Sequence, residues 1–187
     1  MKRKWVILAT LLLIFSLQNV QSYSLLGYKW QTGTFNYYIN PANADVGASA
    51  TISALKAGEN KWGNWCTGIY MGQVTTKTVS NNGQNTVFFR AKKNGTVIAT
   101  TYIYYSGNSI LDFDIVWWDR AWKFFGTAAT CANGFYILDV AAHEFGHAIG
   151  IGHSTRAAAT MYSTTVPCNT SLRTLATDDE NAANAAY

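Results

Sequence analysis

Between Thr34 and Asn40 polar residues interleave with aromatic and aliphatic ones, T-F-N-Y-Y-I-N, and the run stops at Pro41. This pattern predicts a half-buried β-strand. The period then changes. Ile52, Leu55 and Trp62 fall on one helical face, with Lys56, Asn60 and Lys61 elsewhere, which predicts a helix over 48–65 that Gly58 weakens. Two β-forming runs follow, Gly68 to Thr76 and Thr86 to Ala91, separated by the turn-rich Ser80-Asn81-Asn82-Gly83. After the hairpin-like break Lys92-Lys93-Asn94-Gly95, the β-branched and aromatic stretch Thr96 to Tyr105 turns through Ser106-Gly107-Asn108 into Ile110 to Trp118. A second helix is expected from Leu138 to Ile149, with Asp139 as its N-cap, and a last one opens at the capping box Thr177-x-x-Glu180. The aromatic cluster Trp117, Trp118, Trp122, Phe124 and Phe125 reads as core and loop packing. No repeat, linker or second domain is visible. These elements make one α+β domain: a mixed twisted sheet with two long helices, a cleft, and a small C-terminal lobe with a terminal helix.

The N-terminus has a different character. Lys2-Arg3-Lys4 precedes the apolar run Trp5 to Leu17 and then Asn19-Val20-Gln21-Ser22, with Val20 and Ser22 suited to the −3 and −1 positions of a cleavage site. This is the layout of a secretory signal peptide over 1–22, with the functional domain at 23–187 and Tyr23 as its first residue. The alternative is an uncleaved membrane anchor, for which the apolar run is short against a span of about 20 residues; no stable membrane insertion is expected after signal removal. Export also changes the charge. The chain carries 14 Lys and Arg against 10 Asp and Glu; losing Lys2, Arg3 and Lys4 leaves 11 against 10, a net of +1. A nucleic-acid partner therefore has no basic surface to bind, and a secreted monomer is expected.

All three histidines of the chain lie in the eleven residues His143-Glu144-Phe145-Gly146-His147-Ala148-Ile149-Gly150-Ile151-Gly152-His153. The spacing is H-E-x-x-H-x-x-G-x-x-H, the long zinc-protease signature. Residues four apart share a helix face, so His143 and His147 can address one metal ion. Glu144 projects beside it, where it can hold a water. Gly150 can take positive φ, end the helix and let His153 arrive from another direction. Three imidazoles and one open position make a catalytic zinc site, whereas a structural site is closed by four protein ligands. One Zn²⁺ is therefore expected, with Glu144 as the general base that passes the water's proton to the leaving amine. No histidine is left over, so that burden falls on Glu144 alone.

With these residues the chain resembles a metzincin, and within that clan a matrixin. Ser154 after the third histidine matches the matrixin choice, and Ala159-Thr160-Met161-Tyr162 resembles the A-x-M-Y Met-turn. Tyr28-Lys29-Trp30 with Thr34 to Ile39 is similar to the family's opening, and Leu175-Ala176-Thr177-Asp178-Asp179-Glu180 with the closing Tyr187 to its ending. The resemblance implies the zincin/metzincin fold and a secreted zinc endopeptidase acting on extracellular proteins. Met161 would be an apolar floor under the metal, a role compatible with plain core packing. Tyr162 directly follows the Met and is not expected to be a ligand. Protein or peptide substrates would lie extended along an edge strand near Val97 to Ile103, with Ser163 to Arg173 as the S1′ wall. Asp139 could line that pocket instead of capping its helix. Asp178 or Asp179 could pair with the new ammonium at Tyr23, or simply stabilise the last helix dipole.

The departures from the family pattern also carry expectations. No P-R-C-G cysteine-switch segment is present, so latency by a propeptide thiol is not expected. Val116 stands where a strand histidine would help hold a second zinc. Asp112, Asp114 and Asp119 could supply carboxylates to Ca²⁺ but form no clear site, solvent-facing or locally hydrogen-bonded roles being the alternative. The pattern is nearer to minimal bacterial matrixin-like domains. Of Cys66, Cys131 and Cys168, the pair Cys131–Cys168 should flank the active site and is the expected bridge; Cys66–Cys131 is its rival. A non-catalytic binding module that keeps the metal for folding would not need Glu144. A processing protease for one partner is compatible with the same residues.

Overall fold

The computed structural model describes residues 21–187; the cationic and apolar parts of the expected signal peptide lie in 1–20, outside the described residues. One sheet contains β1 (Thr34–Asn40), β2 (Thr67–Gln73), β3 (Thr86–Arg90), β4 (Ala99–Ser106) and β5 (Ser109–Trp118), in the order β2-β1-β3-β5-β4. All pairings are parallel except β4 with β5, which makes β4 an antiparallel edge strand. Parallel neighbours need a crossover, and α1 (Ala48–Glu59) supplies it between β1 and β2.

The period-two pattern decides which sheet face is covered. Phe35, Tyr37, Ile39, Val87, Phe89, Phe113, Ile115 and Trp117 are buried against α1 and α2 (Ile137–Ala148), the latter contributing Ala141, Phe145 and Ala148. On the other face Phe88, Val116 and Trp118 form a smaller cluster with Val79 and Tyr102. The loop between β2 and β3 is pinned over this face by carboxylates. Asp114 Oδ2 accepts from Ser80 N at 2.8 Å, and Asp112 Oδ2 accepts from Asn82 N and Gly83 N at 2.8 and 2.9 Å. Asp119 Oδ2 accepts from Ala44 N at 3.0 Å. The three aspartates considered for Ca²⁺ thus serve as anchors for main-chain N–H groups, and Asp112 and Asp114 are buried rather than solvent-facing. Two short parallel strands, β6 (Phe124–Phe125) and β7 (Phe135–Tyr136), lead into α2, and α3 (Thr177–Ala186) buries Ala182 and Ala183.

The strands lie where the sequence pattern put them, with small shifts at their ends. The first helix is shorter than expected. It stops at Glu59 and tightens into a 3₁₀ turn over Asn60–Trp62. That turn drives Trp62 into the core, where its Nε1 donates to Ala142 O at 2.7 Å. Both predicted caps are corrected. Tyr136 precedes α2, and Asp139 lies inside its first turn, paired with Arg173 through Nε (3.1 Å) and Nη2 (2.9 Å). At α3 the cap position is Ala176, whose N–H donates to Asp179 Oδ2 at 2.8 Å; Thr177 and Glu180 do not form the box. Cys131 and Cys168 form the disulfide, and Cys66 is a buried free thiol that burial pushes up to about 12.

Candidate active site

Helix α2 brings His143 and His147 onto one face, with their Nε2 atoms 3.1 Å apart. The helix then ends at Gly150, whose φ of +95° suits glycine; a Cβ there would also lie 2.0 Å from Tyr28 O. Gly150 N donates to His147 O and Ile151 N to Gly146 O, closing the last turn. The chain doubles back and sets His153 Nε2 3.2 Å from His147 Nε2. The ligand atoms of the three histidines all lie within 4.8 Å of one another.

Hydrogen bonding fixes how these rings face. His143 Nδ1 donates to Thr160 O at 2.7 Å, and His147 Nδ1 donates to Ile151 O at 2.8 Å. With the proton on Nδ1, each Nε2 presents a lone pair toward the other rings. Burial holds both imidazoles well below the ordinary histidine range, at about 4, so they are neutral at neutral pH. Lone pairs converging with no proton between them are the donor set a zinc ion requires, and the residues fit it.

The C-terminal lobe supports this arrangement. Asp179, buried at the start of α3, accepts from Thr160 N (2.8 Å) and Met161 N (3.0 Å) as well as Ala176 N. It therefore positions the carbonyl that orients His143. Met161 is 1% exposed and packs so tightly under α2 that a Cβ on Gly146 would lie 2.3 Å from its Sδ. Asp178 accepts from Ser154 Oγ at 2.5 Å and also meets the Ser22 hydroxyl. Of the two aspartates, Asp179 is committed to the Met-turn, and Asp178 is the one beside the N-terminal segment. The matched chain ends secure the far end of α2. Trp30 Nε1 donates to Ala148 O (3.0 Å), and the Tyr187 hydroxyl donates to Ile149 O (2.9 Å) while accepting from Trp30 N (3.2 Å). In the sequence these residues are matches to the family's two ends, and nothing local shows that they satisfy the carbonyls at the helix end.

Glu144 is buried at the cleft floor, and desolvation pushes its carboxyl up, opposed by His147 and by hydrogen bonds from Thr101. Thr101, on β4, was not singled out by the sequence; nothing in its neighbourhood marks a strand threonine as facing a helix. The cleft holds about 800 Å³ and runs between β4 and the segment after Met161. One hydrogen bond sets the phase of the edge strand. Trp118 N donates to Ile98 O at 3.0 Å, so residue pairs 98/118 and 100/116 exchange hydrogen bonds. In the alternating antiparallel pattern, Ala99 and Thr101 then turn their main-chain groups to the open edge. Asp139 and Val140 also line the cleft, with Arg173 neutralising Asp139 from behind.

A mixed sheet over two core helices, three converging histidines and a methionine turn beneath them define the metzincin fold. The sequence model described as matrixin, of the M10 peptidases, matches residues 29–187, and the chain belongs to the matrixin family. Matrixins use a catalytic zinc, and the three-histidine group is where such an ion fits. Among curated relatives, Karilysin of Tannerella forsythia is 26% identical over 152 residues, covering 75% of this chain and 30% of that protein. Matrix metalloproteinase-20 of Homo sapiens is 62% identical over 32 residues, 17% of this chain and 7% of that protein. The chain thus spans less than a third of the length of either relative.

Proposed function

We propose that this chain is a secreted zinc-dependent endopeptidase in which His143, His147 and His153 ligate one catalytic zinc and Glu144 is the general base. The observation that carries the reading is the meeting of three imidazoles, two of them (His143 and His147) neutral and anchored through Nδ1, with a buried carboxylate at the floor of a cleft. A zinc ion held there supplies Lewis acidity, polarising a carbonyl and acidifying a water. Glu144 takes a proton from the attacking water and delivers it to the departing amine, a role its raised proton affinity suits. The open main-chain groups of Ala99 and Thr101 bind the substrate as an added strand, which fixes the scissile bond over the histidines. The wall of Tyr136, Val140 and Leu172 with the neutralised Asp139 favours an uncharged side chain just past that bond.

Extracellular proteins are the substrates this reading implies, since export rests on the signal-like N-terminus. Among the described residues no helix is long and apolar enough to cross a membrane. Cleavage after Ser22 would put an ammonium at Tyr23, one residue from the Ser22 hydroxyl that meets Asp178, and Asp178 is its acceptor. The chain acts as a monomer. The test is metal content and proteolysis on one purified sample. One zinc per chain and casein cleavage, abolished by a chelator and restored by added zinc, is expected. Cleavage that survives complete zinc removal would defeat the reading.

A further inference from the structure

We propose that Thr101 is a positioning residue for Glu144, coupling the substrate-binding edge of β4 to the carboxylate at the cleft floor. Its hydroxyl donates to Glu144 Oε2 at 2.6 Å, with Glu144 O 3.1 Å away. A hydroxyl has one hydrogen, and the shorter, charge-assisted contact takes it. That bond fixes which carboxylate oxygen is used for anchoring. With Oε2 engaged by the hydroxyl, Oε1 is the oxygen placed to exchange a proton with water. Glu144 has three rotatable side-chain bonds and sits on a helix whose own hydrogen bonds do not restrain its carboxylate. The anchor comes from the strand opposite.

The placement of Thr101 gives the bond a second consequence. Strand alternation points Thr100 to the far face, where its Oγ1 accepts from Trp118 Nε1 at 3.0 Å, and points Thr101 into the cleft. The main-chain groups of Thr101 face the open edge of β4 while its side chain holds Glu144. A peptide pairing with that edge and the carboxylate that serves it are thus referenced to the same residue. Movement of the edge strand moves the base with it. This step rests on the endopeptidase reading for its kinetic meaning, though the geometry of the carboxylate can be tested without it.

The experiment uses the zinc-loaded full domain with Thr101→Val, which keeps the shape and removes the hydroxyl, and Thr101→Ser, which returns it. Steady-state cleavage of one fluorogenic peptide and crystal structures of the wild type and the Val variant are the readouts. Thr101→Val is expected to lower kcat by about 10- to 100-fold, with KM within about twofold, one zinc per chain retained and Glu144 Oε2 displaced. Thr101→Ser is expected to recover most of kcat. Unchanged kcat, a loss confined to KM, no recovery with Ser, or an unmoved Glu144 carboxylate would overturn the proposal. Should Thr101→Val not fold, Thr101→Ala against Thr101→Ser poses the same question, since the two differ by the hydroxyl alone. A zinc-loaded wild type that cleaves no peptide would sink the endopeptidase reading instead. The Glu144 position in the variant crystals would still decide the positioning role.

Discussion

Glu59 sits at the end of α1, 2% exposed, and its Oε1 accepts from Gly68 N at 2.6 Å. Burial pushes its carboxyl from 4.5 up to about 7, against smaller lowering effects of the Gly68 hydrogen bond and Lys56. The folded state therefore binds this proton more tightly than the unfolded chain does. The sign follows from linkage. The stability Glu59 contributes is fully present below pH 4.5 and is lost as pH rises through about 7. The rise from 4.5 to about 7 corresponds to about 3 kcal/mol. Glu59→Gln stays neutral throughout and keeps an oxygen to accept from Gly68. The variant should gain on the wild type by about 3 kcal/mol between pH 4.5 and pH 8. Urea unfolding of both proteins across that range measures it. Protonation of the three histidines and of Asp114, itself raised to about 6 by burial, is common to both and cancels in the difference. A wild-type-minus-variant difference that stays flat with pH would refute the assignment of Glu59 as a charge-averse buried acid.

Asp179→Ala removes the acceptor of Thr160 N, Met161 N and Ala176 N. It should cost at least about 3 kcal/mol and weaken zinc binding in a chelator competition, because Thr160 O no longer holds His143; unchanged zinc affinity would separate the Met-turn from the ligand. The Cys131→Ser, Cys168→Ser double variant opens a loop with a sequence separation of 37. Chain entropy predicts a loss of about 4 kcal/mol in urea unfolding, and a loss under about 1 kcal/mol would show that the unfolded chain is not constrained by this bridge.

The convergence of the candidate site's residues was legible because its determinants are local. His143, Glu144, His147, Gly150 and His153 occupy eleven consecutive residues, and helix geometry converts their spacing directly into position. The strands were legible for the same reason, since alternation reports burial of one face. What escaped depends on contacts across the fold. Gly58 reads as a flaw in a helix, yet it is where α1 meets α2: a Cβ there would lie 2.5 Å from Ala141 Cβ. Asp139 reads as a cap, but Arg173, 34 residues away, claims its carboxylate. Asp112 and Asp114 read as cation-binding, solvent-facing or locally hydrogen-bonded, and their hydrogen bonds hold a loop that no local pattern places over the sheet. Thr101 is the same kind of residue, ordinary in its strand and placed against Glu144 only by packing of β4 on α2.

In the proposed function Glu144, beside a zinc held by His143, His147 and His153, carries the proton transfers of peptide hydrolysis. Glu144→Gln tests it most directly, measured as zinc content and kcat/KM for one fluorogenic peptide. One zinc per chain in both proteins and a fall in kcat/KM of about 10²- to 10⁴-fold in the variant are expected. Activity within about twofold of wild type, with zinc retained, would contradict it.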